Sequence, residues 1–414
     1  MTIKNSMITA DLKQGAMRYA QPAGAALTAR IESIDMLRGI VMIIMALDHA
    51  RDFFHMQAFT GDPLDLATTT PILFLTRWIT HFCAPVFIFL SGTSIYLQSL
   101  RKTKAQLSLF LVKRGLWLIL IEVLIMSFAF TFDPEYNTII LQTIWAIGIS
   151  MVLLAILIWL PFNAIFILGL AIVFGHNALD FAEANSKEPF GFWWSMFHRQ
   201  NAFPLAENHT LWVFYPFLPW TGLMILGFCL GKLYDPVASA AYRKNFLMWL
   251  GTGLILFFIG LRLTNIYGDP SDYVVQELPL YTLLSFINTA KYPPSLLYMC
   301  MTIGPALIFL SAVEKARNAL TNIFVVFGRV PFLFYVLHFY ILHLLCMALF
   351  LMRGHTFTEG MNPTSIFKFI NIGEGYRLLI VYLIWLGVLL VLYPICKKFS
   401  EYKKSHKQWW LSYL

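Results

Sequence analysis

Long runs of apolar residues dominate this sequence and restrict its fold more than any other feature. Of its 414 residues, 58% are hydrophobic and 13% are charged, whereas soluble domains usually contain about 25% charged residues. This small number of charged residues cannot cover the apolar residues with a water-facing surface. Most of the protein surface must therefore face lipid. We therefore predict an all-α, polytopic integral membrane helix bundle.

Ten of these runs approach the length that a membrane span requires, roughly 20 mostly apolar residues. The predicted spans are residues 34–50, 72–97, 112–132, 138–160, 162–178, 211–231, 245–264, 292–312, 321–351 and 376–396. Pro161 divides the fourth span from the fifth, because proline cannot continue a helix interior. We expect residues 1–30 to form a mobile cytoplasmic tail, 31–398 the transmembrane domain and 399–414 a basic, aromatic cytoplasmic tail.

The distribution of charge predicts an orientation. With ten spans, the basic clusters fall in the 2–3, 6–7 and 8–9 loops and the C-terminal tail, which share one side, and most loop carboxylates fall on the other. Arg353 and Lys368 are exceptions. Basic loops mark the cytoplasmic side, so we expect both termini in the cytoplasm and a bacterial inner (plasma) membrane. No apolar run precedes Ile31, so no cleavable signal peptide is expected. The net charge of +8 is dispersed over these loops, which argues against nucleic-acid binding.

The first predicted span carries the densest set of polar residues. Arg38 and His49 are eleven residues apart, which places them on one helix face about 16 Å apart along the axis. Asp48 and Asp52 flank His49. Charges inside a span are costly and suggest function, so this face could bind an anionic cofactor at Arg38 and direct its reactive end toward His49. In the alternative interpretation, Arg38 extends to the lipid headgroups while His49 and Asp52 cap the helix.

Two further spans contain isolated polar residues. Pro85 cannot donate the helical hydrogen bond to the carbonyl of His81, which predicts either a polar site or an ordinary proline kink. Arg329 either faces a phosphate-binding cavity or forms a structural ion pair with Glu122. His338 lies near mid-membrane, where a lone histidine is more often a buried core residue.

Other polar features carry weaker signals. His198 and His209 lie in a large loop, residues 181–210, and could contact a polar substrate, although its tryptophans are more typical of an interfacial belt. The five cysteines are scattered through apolar segments and suit packing. No paired histidine spacing supports zinc, so we expect no metal site.

Four segments together resemble a known family. They are RIESIDMLRG at residues 30–39, CAPVFIFLSG at 83–92, YPFLPWTG at 215–222 and FGRVP at 327–331. They are similar, in the same order, to segments of heparan-α-glucosaminide N-acetyltransferase and its bacterial relatives, and the likeness extends over about residues 30–400. The spacing of Arg38 and His49 is also similar to that in a broader group of membrane acyltransferases.

The resemblance implies transfer of an acetyl (acyl) group from cytoplasmic acetyl-CoA or another acyl-CoA to a carbohydrate or glycoconjugate at the outer side. The catalytic base would be His49 or His55, because the family's histidine falls slightly later than His49. Asp48 or Asp52 would orient it, and His81 or His338 would stabilise the oxyanion. The donor CoA would be held by Arg38, Arg114, Arg329 and His338.

Two other functions remain open at this point. A transporter or flippase of a small polar or lipid-linked substrate would also need intramembrane charges and broken helices, but no inverted repeat is visible. A catalytically inactive interaction scaffold is the third option. The expected partners are the lipid bilayer, acyl-CoA and a carbohydrate acceptor, with a homodimer as an open option.

Overall fold

The computed structural model describes residues 30–186 and 190–412. The predicted N-terminal tail, apart from Arg30, lies outside the described residues. The α-helices are α1 (Glu32–Phe54), α2 (Pro71–Ile79), α3 (Cys83–Ser99), α4 (Lys104–Ile121), α5 (Ser127–Thr131), α6 (Thr143–Leu157), α7 (Phe162–Gly175), α8 (Ala178–Ala184), α9 (Phe192–Phe197), α10 (Phe217–Leu230), α11 (Ala240–Thr264), α12 (Pro279–Ile287), α13 (Leu296–Val313), α14 (Ala319–Arg329), α15 (Pro331–Met352), α16 (Phe357–Met361) and α17 (Leu378–Ser405).

This architecture confirms the predicted fold class. Seven of the described helical stretches are long and apolar enough to cross a membrane, namely 71–99, 162–184, 217–234, 240–264, 296–313, 331–352 and 378–405. The other three predicted spans correspond to the polar α1, to α4 and α5 with a π-helical turn (Glu122–Met126) between them, and to α6, which has only 15 residues. α6 and α7 are separate helices on either side of Pro161, as predicted.

A small β-sheet corrects two predicted spans. It contains β1 (Thr138–Leu141), β2 (Asn201–Ala206) and β3 (His209–Val213) in the order β1-β3-β2, with β1 parallel and β2 antiparallel to β3. The spans predicted at 138–160 and 211–231 therefore begin as strands. The β-branched run at residues 138–140 favours a strand, and Pro216 separates β3 from α10. The predicted loop 181–210 thus contains part of this sheet and the short helix α9.

Three other boundaries differ from the prediction. The span predicted at 321–351 is two helices, because Val330 leaves the helical conformation and Pro331 begins α15. The span predicted at 292–312 begins in a turn, and α13 starts at Leu296. The last helix continues to Ser405, beyond the predicted end at 396 and into the predicted C-terminal tail.

We refer to the two ends of the bundle by the ends of α1: the first end is where Glu32 begins it, and the second end is where Phe54 ends it. Arg30 and Lys403 line one common cavity. The two termini of the described chain therefore lie together at the first end. This matches an even number of passes through the bundle.

Glycines within the segments of the family resemblance bring neighbouring helices into backbone contact. A methyl group on Gly39 of α1 would overlap the carbonyl oxygen of Phe324 in α14, and one on Gly328 would overlap the carbonyl of Asp35. In the same way, Gly92 of α3 lies against the backbone of α10. Because backbone cannot move aside as a flexible side chain can, only glycine permits these helix crossings. The crossings hold Arg38 and Arg329 close together.

Replacing Gly39 or Gly328 with alanine should destabilise the protein by about 1–3 kcal/mol, because the added methyl must displace neighbouring backbone. Gly253→Ala in α11 is the matched control, since its added methyl would meet nothing within 4 Å and should gain up to about 1 kcal/mol of helix propensity. Thermal unfolding in detergent measures the three variants. Equal midpoints for Gly328→Ala and Gly253→Ala would show that the crossing is loosely packed.

Candidate functional site

Two cavities lie at opposite ends of the first helix. The first-end cavity has a volume of about 310 Å³, and the second-end cavity about 610 Å³. α1 contributes to both walls, with Arg38 in the first and His49 in the second. The helix face proposed from sequence therefore runs between the two cavities.

The first-end cavity is strongly cationic. Its wall contains five basic residues and, within the described chain, no Asp or Glu; the basic residues are Arg30, Arg38, Arg114, Arg329 and Lys403. Serines and apolar side chains complete the wall, including Ser91, Ser94 and Phe110. Arginine donors in a partly dehydrated space suit phosphate oxygens. The structure thus brings together the three arginines singled out from the sequence, and their binding role stays a prediction.

Ion pairs fix the orientation of these arginines. Nη1 of Arg38 lies 3.2 Å from Oδ1 of Asp35, and its Nη2 donates to Oγ of Ser94 at 3.0 Å. Arg329 contacts Glu32 at 3.3 Å and Asp35 at 3.9 Å. Asp35 is therefore the shared anchor of the arginines at the base of the cavity.

The alternative ion pair between Arg329 and Glu122 is wrong. Glu122 lies at the π-helical turn after α4 and accepts hydrogen bonds from the backbone N–H groups of Gln142 and Trp145 at 3.1 and 3.2 Å. It thereby caps the start of α6. The π turn rotates its carboxylate toward those donors, which hydropathy could not predict.

A thin partition separates the two cavities. Among the described residues, four side chains line both of them: Met45, Phe87, Thr143 and Tyr335. Met45 lies on α1 one turn before His49, about 6 Å along the helix axis. Met45 has an unbranched, flexible side chain that adapts readily to its surroundings. A slender group entering from the cationic cavity would therefore emerge beside His49.

His49 forms part of the second-end wall. Its side chain is 18% exposed, and its Nδ1 lies 3.8 Å from Oδ2 of Asp52, too far for a direct hydrogen bond. The ring packs against Phe339, with centroids 4.1 Å apart. Packing fixes the imidazole on one side, while the other side faces the second-end cavity.

Asp48 belongs to a charge network that the sequence did not reveal. Its Oδ2 accepts a hydrogen bond from Nη1 of Arg77 at 2.9 Å, and its Oδ1 lies 3.0 Å from Nη2 of Arg51. Arg51 also donates to Asp52 at 2.5 Å. Asp48 thus binds two arginines, whereas Asp52, within the described chain, binds Arg51 alone and is the carboxylate within 4.0 Å of His49.

A turn between α12 and α13 contributes a second missed group of residues. Lys291 and Tyr292 line the second-end cavity, and the Lys291 ammonium lies 5.1 Å from the Tyr292 ring centroid. Burial opposes ionisation of the Tyr292 phenol, but the positive charges of Lys291 and Arg77 outweigh it and lower its pKa. The sequence did show Lys291 beside the Tyr-Pro-Pro turn, but nothing local indicated that the turn faces His49.

His55 also lines the second-end cavity but lies farther from the partition. It follows α1, ten residues after Met45, and its Nδ1 accepts a hydrogen bond from the backbone of Gln57 at 3.3 Å. Burial, and secondarily the Arg51 charge, lower the pKa of His55. Its imidazole is therefore neutral near pH 7 but is displaced from the point where the cavities meet.

His81 and His338 are not on either cavity wall. The carbonyl of His81, freed from helical bonding by Pro85, accepts a hydrogen bond from the Tyr298 hydroxyl at 2.7 Å, while its ring is fully buried. His338 is also fully buried, with its Nδ1 3.0 Å from the carbonyl of Phe334 and its ring centroid 5.3 Å from that of His49. His338 is separated from the cavities and packs near His49. Neither His81 nor His338 is therefore placed to contact an oxyanion in these cavities.

His198 is fully buried, so the prediction that it contacts a substrate in an open loop is wrong. Its Nδ1 lies 2.8 Å from Glu183, and its Nε2 lies 3.2 Å from His176. Asp180, Glu183 and His198 are close enough to share a cation. However, Glu183 also accepts hydrogen bonds from Trp194 and Arg199. The cluster therefore joins α8 to α9 by hydrogen bonds.

One comparison with known proteins identifies a family. The model of the family described as heparan-alpha-glucosaminide N-acetyltransferase, catalytic, matches residues 30–267. The matched segment extends from the start of α1 to just after α11 and includes Arg38, His49 and Arg77. Lys291, Arg329 and Lys403 lie beyond it. No curated protein matches the chain.

Proposed function

The chain belongs to the heparan-α-glucosaminide N-acetyltransferase catalytic family, a family of membrane acetyltransferases, and we propose that it moves an acetyl group from acyl-CoA at the first end to a carbohydrate or glycoconjugate acceptor at the second end. The family match confirms the resemblance seen in the sequence. The donor, the acceptor and the two sides of the membrane are parts of the proposal.

The observation that carries the proposal is the shared wall of the two cavities. A cationic space suited to phosphates and a larger polar space containing His49 are separated by Met45, Phe87, Thr143 and Tyr335. CoA consists of a phosphate-rich nucleotide joined to a long, thin arm that ends in the thioester. With its phosphates against Arg38, Arg114 and Arg329, that arm would point along α1 toward the partition.

The chemistry requires one proton acceptor at the junction. In the proposed reaction, the acceptor's hydroxyl or amine attacks the thioester carbonyl while His49 takes its proton. The C–S bond then breaks, and the CoA thiolate leaves with the proton that the His49 imidazolium returns, which restores the base. Asp52 would stabilise the His49 imidazolium. Lys291, Arg77 and Tyr292 are the cavity donors available to the carbonyl oxygen as it becomes negative, in place of His81 and His338.

The second-end cavity suits a polyhydroxylated acceptor. Its wall combines carboxylates, cations, hydroxyls and aromatic rings, represented by Asp52, Asp62, Lys291, Thr143 and Tyr215. Sugars are recognised by such mixtures of donors and acceptors. The proposed orientation places the first end in the cytoplasm of a cell inner membrane, since acetyl-CoA is cytoplasmic and the basic loops share that side.

A transporter or flippase remains the second candidate, because a conduit lined by charges could pass a whole solute. The partition favours the transferase. A sugar would have to pass between Met45, Phe87, Thr143 and Tyr335, whereas a thin acyl-bearing arm requires a much narrower opening.

Met45→Trp should test the conduit, because a larger, stiffer side chain would fill the space where the cavities meet. We expect acetyl transfer from radiolabelled acetyl-CoA to glucosamine to fall at least about tenfold, with acetyl-CoA binding largely retained. Met352→Trp is the matched control, as Met352 is 81% exposed at the end of α15. If wild-type protein neither binds nor consumes acetyl-CoA, the proposal fails. If Met45→Trp keeps full activity, the route through the partition is wrong.

A further inference from the structure

A third cavity adjoins the cationic cavity at the first end. It has a volume of about 190 Å³ and is lined by Arg30, Arg329, Ser400, Lys403 and Lys404. Arg30, Arg329 and Lys403 line both spaces. These three cations therefore form a wall with a cavity on each side, and Lys404 and Ser400 belong to the outer side alone.

The end of α17 supplies the residues that are particular to this outer cavity. Ser400, Lys403 and Lys404 are three and four residues apart, which places them on one helix face. Ser400 is buried, whereas Lys404 is exposed. Because α17 continues to Ser405, this helix face reaches Arg30, the first described residue, which lines the same cavity. It lies outside the segment matched by the family.

Positive charge exceeds negative charge around the outer cavity. Asp35 and Glu32 pair with the nearby arginines Arg30, Arg317 and Arg329. In the described part of the chain, by contrast, no carboxylate oxygen lies within 4.0 Å of the Lys403 or Lys404 ammonium. The two lysines thus have no carboxylate partner among the described residues, and the nearby arginines share two carboxylates. The surplus of positive charge suits binding of a dianion.

We propose that this outer cavity binds the 3′-phosphate of the CoA nucleotide, with Lys404 as a residue that determines donor specificity. The inference rests on the proposed function. CoA has two phosphate groups of different kinds: a diphosphate that joins the arm to the nucleotide, and a phosphate monoester on the ribose. The first-end cavity would hold the diphosphate, and the monoester would lie across the Arg30–Arg329–Lys403 wall, against Lys404 and the Ser400 hydroxyl.

The test compares acetyl-CoA with acetyl-dephospho-CoA, which lacks only the 3′-phosphate. For wild-type protein in neutral-lipid vesicles we expect a KM about tenfold lower for acetyl-CoA, as suits one charge-assisted contact. Lys404→Met should raise the KM for acetyl-CoA toward that for acetyl-dephospho-CoA and leave the latter unchanged. Lys397→Met is the matched control, because Lys397 is exposed on the same helix and lines none of the three cavities.

Three outcomes would overturn the proposal. Equal KM values for the two donors in wild type would exclude a 3′-phosphate site while leaving the acetyltransferase proposal intact. An equal rise for both donors in Lys404→Met would indicate general attraction of anions. An effect of Lys404→Met that appears only in vesicles with anionic lipid would assign Lys404 to a lipid headgroup.

A binding measurement separates failure of this inference from failure of the proposed function. Adenosine 3′,5′-bisphosphate should bind the wild-type protein about tenfold more tightly than adenosine 5′-phosphate in calorimetry, and Lys404→Met should abolish that difference. Preferential binding of the bisphosphate without acetyl transfer would support the 3′-phosphate site and contradict the acetyltransferase activity. Acetyl transfer without that preference would support the acetyltransferase activity and contradict the 3′-phosphate site.

Discussion

Replacing His49 with asparagine should reduce acetyl transfer by roughly 10²–10⁴-fold, the usual effect of losing a general base, while the affinity for acetyl-CoA stays nearly unchanged. Asparagine can fill much of the space against Phe339 but cannot accept the proton at neutral pH. The proposed phosphate contacts lie about 16 Å away along α1, so donor binding should not depend on the imidazole. Single-turnover transfer and equilibrium binding of acetyl-CoA measure the two effects separately.

His55→Asn distinguishes between the two histidines that the sequence left open. Because His55 lies ten residues beyond Met45, about 15 Å if the helix continued, we expect its replacement to affect acceptor affinity more than the rate of transfer. If His55→Asn abolishes transfer and His49→Asn does not, the base has been assigned to the wrong residue and the thioester must reach deeper into the second-end cavity.

Arg262→Ala should destabilise the protein by about 3–5 kcal/mol, because it removes one partner of a buried ionic and hydrogen-bonded cluster. The Arg262 guanidinium donates to backbone carbonyls that hold the segment between α11 and α13; these are Ser271 at 2.6 Å, Phe286 at 3.0 Å, Ser285 at 3.2 Å and Asn288 at 2.8 Å. It also lies 3.7 Å from buried Asp269. Alanine would leave all of these acceptors without their donor.

The same substitution should alter the second-end cavity. Asp269 accepts hydrogen bonds from the backbone of Ala290 at 2.9 Å and the Ser295 hydroxyl at 2.6 Å, and the turn between them presents Lys291 and Tyr292. We therefore expect a lower unfolding midpoint together with a higher KM for the acceptor. Arg317→Ala is the control, since its side chain is 81% exposed and its ion pair should contribute less than about 1 kcal/mol. Equal midpoints for the two variants would refute the role given to Arg262.

Hydropathy and a few motifs predicted the membrane fold because both depend on local sequence. A run of apolar residues needs lipid wherever it lies in the chain, and the spacing of Arg38 and His49 on one helix face follows from helix geometry alone. The breaks at Pro161 and Val330 have local causes as well, although only the first was predicted. Strands β1 and β3 were missed because they adjoin apolar helices and share their hydropathy.

The composition of the site depended on contacts between distant segments. The network of Asp48, Arg51 and Arg77 joins α1 to α2, and the Lys291 turn reaches the same cavity from between α12 and α13. Each of these residues looks like an ordinary interfacial charge when considered alone. Glu122 shows the converse error: its depth in the sequence suggested a pairing with Arg329, but a π turn directs it to the backbone of α6.

The most direct test of the proposed route is transfer across a sealed membrane. Purified protein would be reconstituted in vesicles with glucosamine trapped inside and radiolabelled acetyl-CoA, which does not cross the bilayer, supplied outside. We expect labelled N-acetylglucosamine to accumulate in the lumen, and His49→Asn vesicles to accumulate none above background. Product that forms only when donor and acceptor share one compartment would contradict transfer through the partition between the two cavities.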